Sequence, residues 1–249
     1  MPRNHTFRNK GIVLHKTKLG EQDVILTFLS DDGSQRQAVA KGARKPGGRL
    51  AARCDLFCEV DFLLAQGRSL DVVAEASLIT PHQSLRTNLE QMSCASCVCE
   101  IAQHTSFEDA QDGFLFPLLS RVLLAIEQTA TTEQLDLIVT AYVFKVLAHQ
   151  GWRPQLDECI ACADSDVSRF SAAMGGVVCE SCASDIEGAE LISRTEISWL
   201  DSLLHMTFDQ ILAAQIDKQT ASYLVSLAHI WAVTHLDCRL RAFEYYVSL

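Results

Sequence analysis

Cys159, Cys162, Cys179 and Cys182 are spaced as Cys-x2-Cys, a gap of sixteen residues, then Cys-x2-Cys. Each tight Cys-x2-Cys bend turns two sulfurs to one side of the chain. Two such bends facing each other can close a tetrahedron around one Zn²⁺, with Zn–S bonds of about 2.3 Å. The gap of sixteen lies within the range of about 15–20 used by such sites. Four protein ligands leave no open position, so the expected ion is structural rather than catalytic. A nucleobase deaminase would need His-x-Glu or Cys-x-Glu ahead of Pro-Cys-x-x-Cys. Here no His or Cys is followed two places on by Glu, and Glu158 and Val178 precede the two pairs.

A second set of residues is basic. Lys41-Gly-Ala-Arg44-Lys45-Pro-Gly-Gly-Arg49-Leu-Ala-Ala-Arg53 carries five cations among glycines and Pro46, and reads as a mobile loop. Lys16, Lys18 and Arg36 can add to its field. Such a patch suits phosphate groups along a nucleic-acid backbone; the alternative is a solvated loop with no special role. The aromatics of the first 80 residues are Phe7, Phe28, Phe57 and Phe62. They are expected in a core, which leaves little for base stacking or sequence readout.

Other chemistry is missing. The chain has no Gly-Lys dipeptide and so no P-loop, and it lacks Gly-x-Ser-x-Gly, His-Glu-x-x-His and Gly-x-Gly-x-x-Gly. The expectation is a protein that is not an enzyme. Cys94, Cys97 and Cys99, like Cys54, Cys58 and Cys238, are better read as packing thiols than as a second metal site.

The elements that must position these residues change character along the chain. Gly11–His15, Asp23–Leu29, Arg36–Lys41, Cys58–Leu64 and Leu70–Ala76 read as five short strands separated by turn residues such as Ser30-Asp-Asp-Gly33. Their number and length suit a five-stranded barrel of the OB type. After Thr80-Pro81 the period becomes helical. Leu85, Leu89, Met92 and Ser96 are expected on one helix face. Thr131-x-x-Gln134 and Ser193-x-x-Glu196 look like capping boxes, and Gly151 ends a helix. The fold class is therefore α+β and multidomain: an OB-type barrel over 1–80, then a helical domain over 81–249 with an inserted four-cysteine zinc module at about 155–190.

The net charge of −10 hides an asymmetry: residues 1–53 carry eleven Lys/Arg against four Asp/Glu, a balance of +7, and the rest sums to −17. Only the first part is suited to a polyanion. The start, Met1-Pro-Arg-Asn-His5, lacks the apolar run of a signal peptide, and no stretch is long and apolar enough for a membrane span. The expectation is a cytoplasmic, nucleoid-associated protein that keeps its ten cysteines as thiols or metal ligands.

Two passages carry a family resemblance: Lys10-Gly-Ile-Val-Leu-His-Lys-Thr-Lys-Leu-Gly-Glu-Gln-Asp-Val-Ile-Leu-Thr27 with Lys41-Gly-Ala-Arg44, and Phe144-Lys-Val-Leu-Ala-His-Gln-Gly-Trp-Arg-Pro-Gln-Leu-Asp-Glu-Cys-Ile-Ala-Cys162. Together with the order basic barrel, helices, inserted cysteines, they resemble the bacterial RecO recombination mediators from Lys10 to the last helix. Where this chain has Gly47-Gly48, the family's pattern would have more polar or basic residues. The resemblance implies a DNA-repair and recombination mediator that binds single- and double-stranded DNA and anneals complementary strands. It also implies work with RecR to help load RecA onto DNA coated with single-strand-binding protein, whose C-terminal tail meets the helical domain. By analogy Lys16, Lys18, Arg36, Lys41, Arg44, Lys45, Arg49 and Arg53 would hold DNA phosphates. A zinc-stapled protein–protein adaptor without direct DNA binding remains the alternative.

Overall fold

The computed structural model describes residues 5–45, 47–129 and 131–249. The expectations for Met1–Asn4 and Pro46 concern residues outside these. Packing divides the chain into two compact units, Met1–Glu127 and Gln128–Leu249. No described helix is long and apolar enough to cross a membrane.

In the first unit, strands β1 (Thr6–Leu19), β2 (Asp23–Ser30), β3 (Gln35–Ala40), β4 (Glu59–Ala65) and β5 (Asp71–Thr80) close a barrel in the order β1-β2-β3-β5-β4. This is the five-stranded arrangement expected from the sequence. β1 is longer than its apolar run. Its first half, Thr6–Ile12, pairs with β4, and its second half, Gly11–Leu19, pairs with β2. A strand that passes from one neighbour to the other along its length turns a corner of the barrel. A register shift between Val13 and His15 marks the bend, and at Gly11 a Cβ would collide with the Phe28 ring. Alternation along the strands sends Val13, Leu26, Phe28, Ala38, Ala40, Val60, Phe62 and Leu64 inward. Phe28 and Phe62 meet at a ring-centroid distance of 4.8 Å.

The segment between β3 and β4 contains the short helix α1 (Arg49–Arg53), which the sequence reading did not expect. Helices α2 (Leu89–Thr105) and α3 (Leu115–Gln128) follow the barrel and, up to Glu127, pack in its unit. The buried face of α2 corrects the sequence expectation. Leu89 and Met92 are exposed, and Leu85 sits in a 3₁₀ turn ahead of the helix. Cys94, Cys97, Val98, Ile101 and Ala102 turn inward instead. These small side chains let α2 lie close to its neighbours, so they win the core over the larger residues of the first turn.

The second unit is built on α4 (Thr132–His149), buried along nearly its whole length from Leu135 to Leu147. The three-stranded sheet β7 (Gly176–Cys179), β6 (Val167–Ser171) and β8 (Glu190–Leu191) follows, with α5 (Glu180–Ala183) between β7 and β8. Helices α6 (Arg194–His205), α7 (Phe208–Ala213), α8 (Lys218–Leu236) and α9 (Arg241–Val247) complete the unit. Ser193 and Glu196 form a reciprocal capping box at α6. Thr131 caps α4 through the Gln134 N–H, but the Gln134 side chain donates to the Leu212 carbonyl at 2.8 Å, so that box is only half made. In the centre Trp231 of α8 stacks on Phe144 of α4 at 5.6 Å.

Candidate functional site

The four cysteines are carried by two turns and one hairpin. Cys159 and Cys162 flank the bend before β6, Cys179 ends β7, and Cys182 lies in α5. The first bend is held against the hairpin by its backbone. Gln155 N–H donates to the Gly175 carbonyl at 3.0 Å, Val177 N–H to the Gln155 carbonyl at 2.9 Å, and Ile160 N–H to the Val177 carbonyl at 3.0 Å. Glycine is required at 176, where a Cβ would strike the Gln155 backbone.

Local sequence thus brings the two Cys-x2-Cys pairs together. All four sulfurs lie within 4.8 Å of one another, and those of Cys162 and Cys179 are 3.7 Å apart. A tetrahedron with metal–sulfur bonds of about 2.3 Å has an edge of about 3.8 Å. The spacing therefore fits one four-coordinate ion. Burial pushes the Cys159 thiol up, but the backbone N–H groups of Cys179, Ala161 and Cys162 donate to its sulfur and bring it down to about 6. The neighbouring sulfurs of Cys162 and Cys179 push Cys182 up to about 12. Cys159 ionises readily, whereas Cys162 and Cys182 are pushed up by the sulfurs beside them. A cation at the centre opposes that rise.

Cys159 and Cys179 are buried, Cys182 is partly so, and Cys162 is exposed. Among the described residues this is the one cluster of metal-ligand side chains close enough to share an ion. Cys94, Cys97 and Cys99 are buried in α2, where desolvation drives the Cys97 and Cys99 thiols far up. They behave as packing groups.

The structure sorts the eight basic residues into two groups. Lys41, Lys45 and Arg49 ring a depression of about 390 Å³ that Gln22, Asp23, Gly42, Gly48 and Leu50 complete. Lys18 faces Val24 in the β1–β2 ladder, and Val24 faces Ala40, so Lys18 and Lys41 flank the start of β2. Lys18, Lys41, Lys45 and Arg49 are exposed, with no acidic partner. Arg44 is exposed too, and its guanidinium donates to the Glu21 carbonyl at 3.1 Å.

The remaining three are tied down. Lys16 is paired with Asp55 at 2.8 Å. Burial pushes the Asp55 carboxyl up, but Lys16, the Leu56 N–H and Arg86 together hold it below the usual carboxylate range. Arg36 pairs with Asp32 at 3.5 Å. It lies five residues before Lys41, about 17 Å along an extended strand. Arg53 donates to the Ala76 carbonyl at 3.0 Å.

Hydrogen bonds anchor Gly42, Arg44 and Lys45 within the basic segment. Gly42 N–H donates to the Asp23 carboxylate at 2.8 Å, Arg44 N–H to the Gln22 carbonyl at 2.9 Å, and Lys45 N–H to the Gly42 carbonyl at 3.0 Å. The glycines at 47 and 48 have a local basis, for Gly47 takes a φ of 73°. A Cβ on Gly48 would lie 2.8 Å from the Gly42 oxygen and 3.0 Å from that of Lys45.

One cation escaped the sequence reading. Arg68, in the β4–β5 connection, is exposed and unpaired. The first residues of β5, Asp71 and Val72, pair with Ala38 and Val39 of β3, so this connection comes to the end of β3 that leads into Lys41. In a five-stranded barrel the connections β1–β2 and β4–β5 flank the ligand face. No signal in the sequence marks Arg68, a lone cation between two acidic strands.

Comparison with known proteins follows the same division. The family pattern described as "Recombination protein O N terminal" matches residues 3–82, and "Recombination protein O C terminal" matches residues 86–238. A protein of Bifidobacterium longum strain DJO10A named DNA repair protein RecO is 31% identical over 238 residues, 95% of this chain and 96% of the relative. Proteins of the same name from Dehalococcoides mccartyi strain BAV1 and Roseiflexus sp. strain RS-1 are 30% identical over 90% of this chain and 35% identical over 73% of it. These matches span 88% and 64% of the two relatives.

Proposed function

The chain belongs to the recombination protein O family, and from its DNA repair and recombination role we propose that it is a DNA-annealing mediator. In this reading the barrel holds single- and double-stranded DNA by its phosphates, pairs complementary strands, and acts with RecR to help RecA onto DNA coated with single-strand-binding protein. The observation that carries the proposal is a set of exposed cations of the barrel unit, three of which, Lys41, Lys45 and Arg49, line the depression beside α1. Lys18, Lys41, Arg44, Lys45, Arg49 and Arg68 are exposed, and none has a carboxylate partner.

Charge is the working principle. Neutralising the phosphates of two strands lowers their repulsion while the bases stay free to pair. Phe28, Phe57 and Phe62 are buried in the barrel unit, so base stacking contributes little and annealing does not depend on sequence. The reaction needs no hydrolysis, and the chain is proposed to be no enzyme. The acidic remainder repels DNA, and the helical domain is proposed to meet protein partners instead, among them RecR and the tail of the single-strand-binding protein.

The ion proposed for the four sulfurs is Zn²⁺, because an all-thiolate tetrahedron suits it and closes every coordination position. Cys159, Cys162, Cys179 and Cys182 would hold it, and its contribution is to the folding of the segment around it.

Fluorescence annealing of complementary strands coated with single-strand-binding protein tests the reading. The protein is expected to speed annealing, and reversing the charges of Lys41, Lys45 and Arg49 together is expected to abolish this while circular dichroism stays unchanged. Undiminished annealing by that variant refutes the reading. Absence of any salt-dependent DNA binding by the unmodified protein favours a protein adaptor instead.

A further inference from the structure

We propose that the tip of the four-cysteine module docks a basic polypeptide segment bearing an apolar anchor. Two exposed apolar side chains mark the tip. Ile160, between Cys159 and Cys162, is 39% exposed, and Met174, at the β6–β7 turn, is 44% exposed. They belong to one surface: Ile160 Cδ1 lies 3.6 Å from the position of a Cβ on Gly175, the residue after Met174. The Ile160 N–H bond to the Val177 carbonyl fixes that approach. Neither side chain supplies a ligand atom to the four-sulfur cluster.

The charge of the module that carries them identifies the occupant. Residues 155–190 contain eight Asp/Glu and one Lys/Arg. Glu180 is taken by Arg169 and Asp166 by Arg194. The other six, Asp157, Glu158, Asp164, Asp185, Glu187 and Glu190, are exposed and without a cationic partner. Asp157, Glu158 and Asp164 flank Ile160 in the chain. On the zinc reading above, four thiolates also outweigh the charge of one divalent ion, which adds to the field.

Such a surface repels nucleic acid and anionic lipid. It attracts a segment rich in Lys or Arg, and the two apolar side chains give that segment something to bury beyond bare charge. It is built from other residues than the proposed DNA face and has the opposite sign.

The test uses two labelled peptides of equal length and charge, one amphipathic with Lys and Leu, the other with Ser in place of Leu. The unmodified full-length protein is expected to bind the Lys-Leu peptide more tightly. A variant combining Ile160→Ser and Met174→Ser is expected to lose about tenfold or more of that affinity, with its metal content unchanged. A combined Asp157→Asn, Glu158→Gln and Asp164→Asn variant is expected to weaken both peptides. Hydrogen exchange should show protection by the Lys-Leu peptide at residues 157–164 and 171–177.

Equal affinity for the two peptides overturns the proposal, as does undiminished binding by the double variant or protection confined to other segments. Sedimentation of the protein alone that shows self-association lost in the double variant would make the occupant a second copy, which also overturns it. Metal content is measured on every sample, so failure of the zinc reading shows up separately from failure of the docking site.

Discussion

The Phe170 ring of β6 lies 5.5 Å from that of Trp231 in α8, tilted by 55°. Both side chains are 1% exposed. Phe170 thus passes the order of the four-cysteine module directly into the helical core. Phe170→Ala should destabilise the second unit by about 3–5 kcal/mol, the usual cost of emptying a buried aromatic site. Urea unfolding followed by tryptophan fluorescence measures it, and a loss below about 1 kcal/mol would show that the contact carries little.

Metal analysis should find about one ion per chain. Cys179→Ser removes a sulfur that lies 3.7 Å from that of Cys162 and should abolish binding. Chelation should raise hydrogen exchange first in residues 155–190 and in the α4–α8 core, while the barrel strands keep their protection. A barrel that loses protection in step with the module contradicts this.

The metal-free, reduced protein should have a characteristic dependence on pH. The folded Cys159 lies near 6 against an ordinary value of 9.0, so folding favours its thiolate. That contribution is fully present above about 9 and is lost as pH falls through 6. Cys182, raised to about 12, acts the other way: its contribution is present below 9 and fades as pH rises toward 12. The melting temperature of the second unit should therefore rise from pH 6 to about 9 and then fall. A flat profile across that range would contradict the hydrogen bonding assigned to Cys159.

DNA affinity should fall with salt at a log–log slope of about −4, as six cations on single strands require. The triple charge removal Lys41→Ala, Lys45→Ala and Arg49→Ala should reduce the slope to about −2. Arg36→Ala should leave it nearly unchanged, because Asp32 already neutralises that guanidinium. Equal effects at Arg36 and Lys41 would mean that pairing within the protein does not govern access to phosphate.

Gly48→Ala adds no charge and removes none. Its Cβ meets the Gly42 and Lys45 carbonyl oxygens, so it should distort the turn that carries Lys41, Arg44 and Lys45. The expected outcome is weaker DNA binding at an unchanged salt slope, read by anisotropy over a salt series. Gly113→Ala, where the added Cβ meets nothing within 4 Å, is the control.

What the sequence disclosed follows the range of the interactions involved. The metal cluster was legible because each Cys-x2-Cys bend is local and only one hairpin is needed to join the two. The barrel was legible in β4, where Val60, Phe62 and Leu64 alternate with outward residues. The first five residues of β1 were not, since Thr6–Lys10 look polar and become a strand only through pairing with Asp61–Ala65. The inward face of α2 was misread because bulk suggested Leu89 and Met92, whereas close packing selected cysteine and alanine. In the basic set, the pairing of Lys16 with Asp55 and of Arg53 with the Ala76 carbonyl depends on chain crossings that no local pattern records. Arg68 was missed for the same reason.

The barrel is not equally strong around its circumference. β1 meets β2 over eight registered pairs, but β3 and β5 close the cylinder through only two, Ala38 with Asp71 and Val39 with Val72. That parallel seam should open before the rest of the cylinder, and amide exchange at Val39 and Val72 should outpace that along β1. It lies between the Arg68 connection and the strand end leading to Lys41. On the DNA-annealing reading, parting of this seam would move the Arg68 connection away from the strand end that leads to Lys41, so the spacing between those cations would be set by the least paired edge of the barrel.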